Sequence, residues 1–279
     1  MGISAADFEY VSEFARRTAA IVLEPGKEYL VETRLAPLAR DYSRGSLDAF
    51  VEQLRNEPAA SVLRARALDA LTTNETSFFR DFHPFEGLRK AFIPELIAAR
   101  GATRTLSIWS AACSAGQEPV SLAILLRHHF PELAGWTLRL LATDISGAVL
   151  DMARAASYSQ FEVNRGLPAP LLLKYFKKDG DRWVVNEAIR GMIDYQPRNL
   201  IEPWPDGEQH DIVMLRNVLI YFDVPSKRRI LGEVKRRLAP RGLLFLGASE
   251  TTLNIDADWE IVREDKTTAF RLRAGAAAA

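Results

Sequence analysis

The chain has 279 residues, a length that favours one large domain or two unequal ones. With 48% hydrophobic and 26% charged residues it lies close to average globular usage, which excludes a disordered chain, a collagen, a disulfide miniprotein and a coiled coil. Lys+Arg 36 against Asp+Glu 36 leaves a net charge of +0, so the bulk basic footprint of a nucleic-acid-binding protein or a polybasic membrane anchor is missing and a charge-driven partner must use a local patch.

The opening MGISAADFEY carries Asp7 and Glu9 where a secretion signal would be positive, and Ala6 where a myristoylation signal wants Ser or Thr. The single cysteine, Cys113, excludes an internal disulfide, and no apolar run approaches the roughly 18 residues needed to span a bilayer. These features predict a cytoplasmic protein without membrane insertion. From residue 4 to about 70 the pattern is helical, with Phe8, Val11, Phe14 and Ala15, then Leu47, Phe50, Val51 and Leu54, at three- and four-residue spacing and with Ser4 and Ser46 as caps. Pro37 within LVETRLAPLARD is expected to end or kink a helix unless it opens a new one.

From residue 104 strands and helices alternate: TLSIWSAA, the amphipathic helix QEPVSLAILLRHHF, the strand TLRLLATD and the helix SGAVLDMARAA. DIVMLRN reads as a buried strand, VPSKRRILGEVKRRLAP as a helix and GLLFLGAS as another strand, with WEIVRE and TAFRLR as a closing antiparallel pair. This alternation predicts a doubly wound α/β sheet, with a nucleotide-type ligand at the carboxyl ends of its strands. About fifty residues before DIVMLRN interrupt it: LPAPLLLKYF is a short helix and DRWVVNEAIRGMIDYQP is read as a hairpin, turning near Lys177 to Asp181, within a small antiparallel β-subdomain at about 157–196. The resulting division is a helical domain and linker over 1–82 and an α/β domain over 83–279. The Ala-rich tail is low-complexity.

In SIWSAACSAGQEP a strand runs through small residues into a helix, a turn that lets a ligand approach the backbone or that is simply a tight connection, since no G-x-G-x-x-G is present. Asp144 ends the next strand 28 positions after Gly116, near the offset of about 20 at which an acidic residue binds a ribose diol; the alternative is a cap on the helix beginning near Ser146. TTNETSFFRD, from Thr72 to Asp81, is either a capped helix start with core aromatics or a set of Asn, Thr and Arg suited to an amino-acid carboxylate or a ribose. Asparagines in RNL and RNVLIYFD stand at strand ends, where an amide can read an adenine edge or an amino group. No P-loop lysine signature, no H-E-x-x-H and no zinc-spaced Cys/His cluster occurs, and the scattered histidines and Cys113 read as solvated and buried residues.

Taken in order, TNETSFFRD, IWSAACSAGQEPVSLAI, ATDIS, RNL, LRNVLIYFD and LLFLGASE resemble the CheR-type chemotaxis receptor methyltransferases, from about residue 8 to 273. The resemblance implies a Rossmann-like methyltransferase domain, S-adenosylmethionine as donor, S-adenosylhomocysteine as product, and glutamate γ-carboxylates on chemoreceptor helices as acceptors. By motif it implies that Asn74, Thr76 and Arg80 face the methionine part of the cofactor and that Glu118 lies near its amino end. Asp144 would hold the ribose, Asn199 and Leu200 border the adenine, and Arg216 and Asn217 line the floor, with Tyr221 near the transferred methyl. Arg80 and Tyr221 are then positioning groups. A carboxylate is already a nucleophile and a sulfonium an activated donor, so neither a general base nor a metal is required, and orientation and desolvation are the tools.

Arg34 and Arg40 match the family's basic receptor-facing helix and, six apart, are expected to share roughly one side of it if Pro37 does not break the helix between them, while Pro37 and Leu38 stand where further arginine is expected. The hairpin KYFKKDGDRWVVNEAIRG is shorter and poorer in glycine than in members that tether to a receptor's C-terminal pentapeptide, so no such tether is expected. A monomer is expected. The rival readings are the same fold acting on another acceptor and a non-catalytic cofactor-binding signalling module.

Overall fold

Serine hydroxyls start three of the four N-terminal helices. The computed structural model describes residues 2–204, 207, 209–273 and 275, and the Ala-rich tail, Gly275 apart, lies outside the described residues. Ser4 accepts from Asp7 N–H at the start of α1 (Ala5–Ala19), α2 spans Glu28–Ser43, and Ser46 and Ser61 cap α3 (Leu47–Asn56) and α4 (Val62–Leu71). The three- and four-spaced apolar residues Phe8, Val11, Phe14, Phe50, Val51 and Leu54 meet Val31, Leu35 and Leu71 in one core. Pro37 does not interrupt α2, contrary to the sequence expectation. The proline is exposed, and so is Thr33, whose carbonyl would receive the missing N–H; water can satisfy it.

Helix α5 (His83–Gly87) passes through a π-helical turn at Leu88–Phe92 into α6 (Ile93–Arg100). There follow β1 (Thr105–Ala111), α7 (Gln117–His129), β2 (Thr137–Asp144) and α8 (Gly147–Ala155). The excursion comprises β3 (Ser157–Ser159), α9 (Gln160–Asn164), α10 (Ala169–Tyr175), β4 (Phe176–Asp179), β5 (Arg182–Val185) and α11 (Glu187–Arg190). The chain closes with β6 (Ile193–Pro197), β7 (His210–Leu215), α12 (Val224–Arg237), β8 (Leu238–Leu246), β9 (Trp259–Glu264) and β10 (Thr267–Leu272).

The main sheet has the order β6-β2-β1-β7-β8-β10-β9, with β6 to β8 parallel and the last two strands antiparallel. It is the doubly wound sheet of the sequence reading. The small antiparallel sheet is β3-β5-β4, and its hairpin turns at Gly180 and Asp181. One strand differs from expectation: IDYQP is no part of that hairpin but the parallel edge strand β6, paired with β2 from Leu140↔Ile193 to Asp144↔Pro197. Pairing with a strand fifty residues away decides this, and the local sequence carries no trace of it.

Successive side chains of a strand point to opposite faces, and both faces here are covered. Leu106, Ile108, Ile212 and Met214 pack under α6 and α7, whereas Trp109, Ala111, Val213 and Leu215 pack under α12. Helix α7, expected to be amphipathic, is buried all round from Pro119 to Leu126, because Tyr158 and Phe176 of the small sheet join the core on its far side. Among the described residues no helix is long and apolar enough to cross a membrane.

Candidate functional site

The carboxyl ends of β1, β2 and β7 are in register, Ala111 opposite both Thr143 and Leu215, so the connections leaving them open into one cleft. The turn after β1 is strained: Ala112, Ser114 and Gly116 all have positive φ, at 56°, 51° and 90°. Non-glycine residues in this region cost of order 1–3 kcal/mol each and persist where surrounding contacts over-determine them. Here Cys113 N–H donates to Thr143 O at 2.9 Å, Ser114 N–H to Asp144 Oδ2 at 2.8 Å, Ser114 Oγ to Asn74 O at 2.9 Å, and Tyr158 OH to Ala115 O at 3.0 Å. Gly116 is needed as well as tolerated, since a Cβ there would stand 3.0 Å from Ala153 Cβ and from Tyr195 Oη.

Asp144, 6% exposed, ends β2 and accepts from Ser114 N–H and from Ser146 N–H at 3.0 Å. The cap of α8 is Ser146, whose hydroxyl accepts from Val149 N–H, so the capping alternative for Asp144 falls to its neighbour. The N–H of Ile145 also points to this carboxylate; with about four acceptor sites in all, it keeps capacity for a ligand. Burial raises its pKa above the ordinary value, and the negative charge of Asp69 on α4 adds to the rise. Cys113 is buried, and desolvation pushes its thiol well up, which fits a small packed residue and no nucleophile.

The segment Thr72–Asp81 forms no helix start; helix α5 begins only at His83. It crosses the cleft as a strap. Arg34 Nη1 donates to Leu71 O at 2.5 Å and Nη2 to Thr73 Oγ1 at 2.7 Å, holding it from the helical side. Within the strap Arg80 Nη1 donates to Glu75 O at 2.8 Å, and from the other side Glu75 pairs with Arg165 beside the small sheet and Phe79 N–H donates to Ser121 Oγ at 3.0 Å. Phe78 is fully buried with its ring edge-on to Tyr158 and Phe176.

Arg216, whose side chain is 2% exposed, gathers three elements. Nη1 donates to Glu118 Oε2 at 2.9 Å, and Nη2 to Asp81 Oδ2 at 2.7 Å and Arg80 O at 2.8 Å. Glu118 Oε1 also accepts from Ser110 Oγ at 2.8 Å. Arg216 is thus the buried tie between the strap, α7 and β7 as well as a lining residue.

The cleft is lined by Asn74, Thr76, Arg80, Glu118, Asp144, Asn199, Leu200, Arg216, Asn217 and Tyr221, so all the expected cofactor residues converge. Asn199 also binds the helical domain, donating from Nδ2 to Thr18 O at 2.7 Å, and Tyr221 O accepts from Val22 N–H at 3.0 Å. Through these contacts the segment between α1 and α2 becomes a wall. Ile21, Lys27 and Leu30 line the cleft too, and sequence reasoning missed them because no motif marks a contact between residues so far apart in the chain; Ile145, inside ATDIS, lines it beside Asp144.

The pair Arg34 and Arg40 is not brought together as expected. In the continuous α2 six residues rotate the side chain by about 240°, leaving the two about 120° apart. Arg34 faces the cleft and is spent on the strap, while Arg40 is exposed. The helical repeat puts Lys27, Leu30 and Arg34 on one face, and all three line the cleft.

The residues present suit S-adenosylmethionine: Asp144 has open acceptor positions for a diol, Leu200, Ile145 and Phe222 offer apolar walls for a ring, and Glu118 brings negative charge. Comparison with known proteins agrees. The family model described as "CheR methyltransferase, all-alpha domain" matches residues 6–72, and "CheR methyltransferase, SAM binding domain" matches 74–268. The chain is 40% identical over 267 residues to chemotaxis protein methyltransferase 1 of Pseudomonas aeruginosa, covering 94% of this chain and 96% of that protein. It is 37% identical over 262 residues to chemotaxis protein methyltransferase Cher2 of Pseudomonas putida, covering 92% and 94%. Chemotaxis protein methyltransferase 1 of Vibrio cholerae is 36% identical over 279 residues, covering 97% and 99%. With two family models spanning nearly its whole length and such relatives beside them, this chain belongs to the CheR family of S-adenosylmethionine-binding chemotaxis methyltransferases.

Proposed function

We propose that the protein transfers a methyl group from S-adenosylmethionine to glutamate γ-carboxylates on the cytoplasmic helices of chemoreceptors, giving glutamate methyl esters. The cofactor supplies a sulfonium-bound methyl; its C–S bond breaks as the carboxylate oxygen forms the new C–O bond. The observation that carries the reading is the convergence of the motif residues on one cleft at the carboxyl ends of the parallel strands, bounded by Asp144 and the strap.

In this reading Asp144 accepts the ribose hydroxyls, Asn199 and Leu200 border the adenine, and Asn74, Thr76 and Arg80 face the methionine part with Glu118 near its amino group. Arg216 and Asn217 form the floor, and Tyr221 stands beside the methyl. The chain's own contribution is orientation and exclusion of water, which suits a reaction between an ionised acceptor and an activated donor. Arg40, exposed on α2, faces the receptor, whereas Arg34 serves the strap. The protein acts in the cytoplasm as a monomer, with no nucleic acid and no metal, and the short hairpin at Gly180 favours recognition without a C-terminal pentapeptide.

The test is methyl transfer from labelled S-adenosylmethionine to purified receptor cytoplasmic fragments, read as base-labile radioactivity, beside calorimetry with S-adenosylhomocysteine. Cofactor binding and base-labile labelling of receptor glutamates are expected. Binding without transfer to any acceptor would leave a signalling module, and transfer to a different acceptor would reassign the substrate.

A further inference from the structure

The run LLFLGASE ends the last parallel strand, and nothing above gives its glutamate a task. Glu250 is half-buried a few residues beyond β8. Its Oε2 accepts from Asn217 N–H at 2.7 Å and Gly247 N–H at 2.6 Å, and its Oε1 accepts from Ile220 N–H at 3.3 Å. One carboxylate therefore serves backbone donors from the loops that follow both β7 and β8. Bonds from backbone N–H to an ionised acceptor are the stronger kind.

The loop after β7 is not relaxed. Asn217 has φ 58°, a left-handed conformation that asparagine tolerates better than most residues but still adopts at a cost. Gly247 lets the other loop come close enough to hold it: a Cβ there would stand 2.6 Å from Asn217 Nδ2 and 2.9 Å from Asn217 N. Between the bonds to Asn217 and Ile220 the chain swings so that Asn217 and Tyr221 line the cleft.

We infer that Glu250 is a positioning residue which, by binding the N–H groups of Asn217, Ile220 and Gly247, fixes the cleft wall that carries Asn217 and Tyr221. This deepens the function proposed above and rests on it for what the wall does; the bracing itself does not. A wall displaced by about 1 Å can cost roughly a hundredfold in rate. Ala248, Ser249 and Ile220 are exposed, so water reaches these loops and can replace a lost carboxylate without unfolding the sheet.

The experiment compares Glu250→Ala and Glu250→Gln in the full chain. In Glu250→Ala the backbone amides of residues 217–221 should exchange hydrogen about tenfold faster or more, with those of β1 and β7 unchanged. Its kcat for receptor fragments should fall at least about tenfold, while KM and the affinity for S-adenosylhomocysteine stay within about threefold. Glu250→Gln keeps one acceptor oxygen for Asn217 and Gly247 and should restore most of kcat. Unchanged exchange in the loop, an unchanged kcat in Glu250→Ala, or a glutamine variant no better than alanine would overturn the assignment. If the parent chain itself methylates no receptor fragment, the proposed function fails and hydrogen exchange alone judges Glu250.

Discussion

Ser114, Asp144 and Glu118 stand on one wall of the cleft, on neighbouring strands and the helix that leaves them, while Arg34, Asn74, Asn199 and Tyr221 form the other from elements far apart in the chain. The first wall is set by strand register. Once β1 and β2 pair with Ala111 opposite Thr143, the turn at Ser114 falls beside Asp144 with little freedom left. The second wall has no such rail and depends on single side-chain ties: Arg34 to the strap, Asn199 to Thr18, and the Arg216 fork. Removing a residue from the first wall should therefore change mainly what binds, whereas removing a tie from the second should change whether the cleft is assembled.

The sharpest break is Arg216→Ala. It leaves Glu118 and Asp81 without their guanidinium, and losing one partner of a buried ion pair costs about 3–5 kcal/mol. The midpoint of urea unfolding should drop accordingly, and Arg216→Lys should rescue little because one ammonium cannot serve acceptors on two sides of a fork. An unchanged midpoint would remove Arg216 as the organising tie.

Next is Asp144→Ala, which should weaken S-adenosylhomocysteine about tenfold or more and, by leaving the buried N–H groups of Ser114 and Ser146 without their acceptor, also lower stability. The estimate follows from about 1.5–3 kcal/mol for hydrogen bonds to a charged acceptor and 1.4 kcal/mol per decade. Calorimetry on the folded variant measures it directly. The same carboxylate gives a pH signature: its pKa is raised by burial, so protonation begins above the ordinary carboxyl value, and affinity should fall on acidification earlier than it would for an exposed aspartate. For folding the sign is opposite. A carboxyl whose folded pKa is raised stabilises the fold below its unfolded pKa, and that contribution is lost as pH rises through the folded pKa; Asp69, also raised by burial, acts in the same direction. Asp144→Asn should flatten the acid limb of the affinity profile, and a limb that persists would place the titration on another group.

The smallest expected effect separates two arginines on one helix. Arg34→Ala should weaken S-adenosylhomocysteine by about three- to tenfold, through loosening of the strap that its two hydrogen bonds hold. Arg40→Ala should leave cofactor affinity unchanged and lower receptor methylation in a salt-dependent way, since exposed charges are screened. Equal cofactor affinity in both variants would show that the second wall does not need its helical tie.

Hydrophobic period and caps were enough to read the helical domain, the parallel strands and the closing antiparallel pair, because those signals are local: Ser4 and Ser46 cap what they precede, and TLSIWSAA and TLRLLATD bury alternate faces. The place of Asp144 at the end of β2, beside the small-residue turn and in the cleft, was legible for the same reason. Pro37 misled because part of the penalty for proline inside a helix is the carbonyl left unpaired four residues back, and on the exposed side of α2 water can satisfy that carbonyl. IDYQP misled because a short apolar-polar strand carries no label for its partner, and its parallel pairing with β2 spans a whole subdomain.

The capped helices of the N-terminal domain, the core strands and the small-residue turn beside Asp144 follow from the sequence alone, since capping, periodicity and turn chemistry act within about a dozen neighbours. Only the tertiary structure decided that Arg34 turns inward and Arg40 outward, that Arg216 is bound on three sides, and that Glu250 reaches back to the loop after β7. Those outcomes depend on the angle of one helix face and on backbone donors left over when strands end, and such donors are satisfied by whichever acceptor the folded chain brings within about 3 Å.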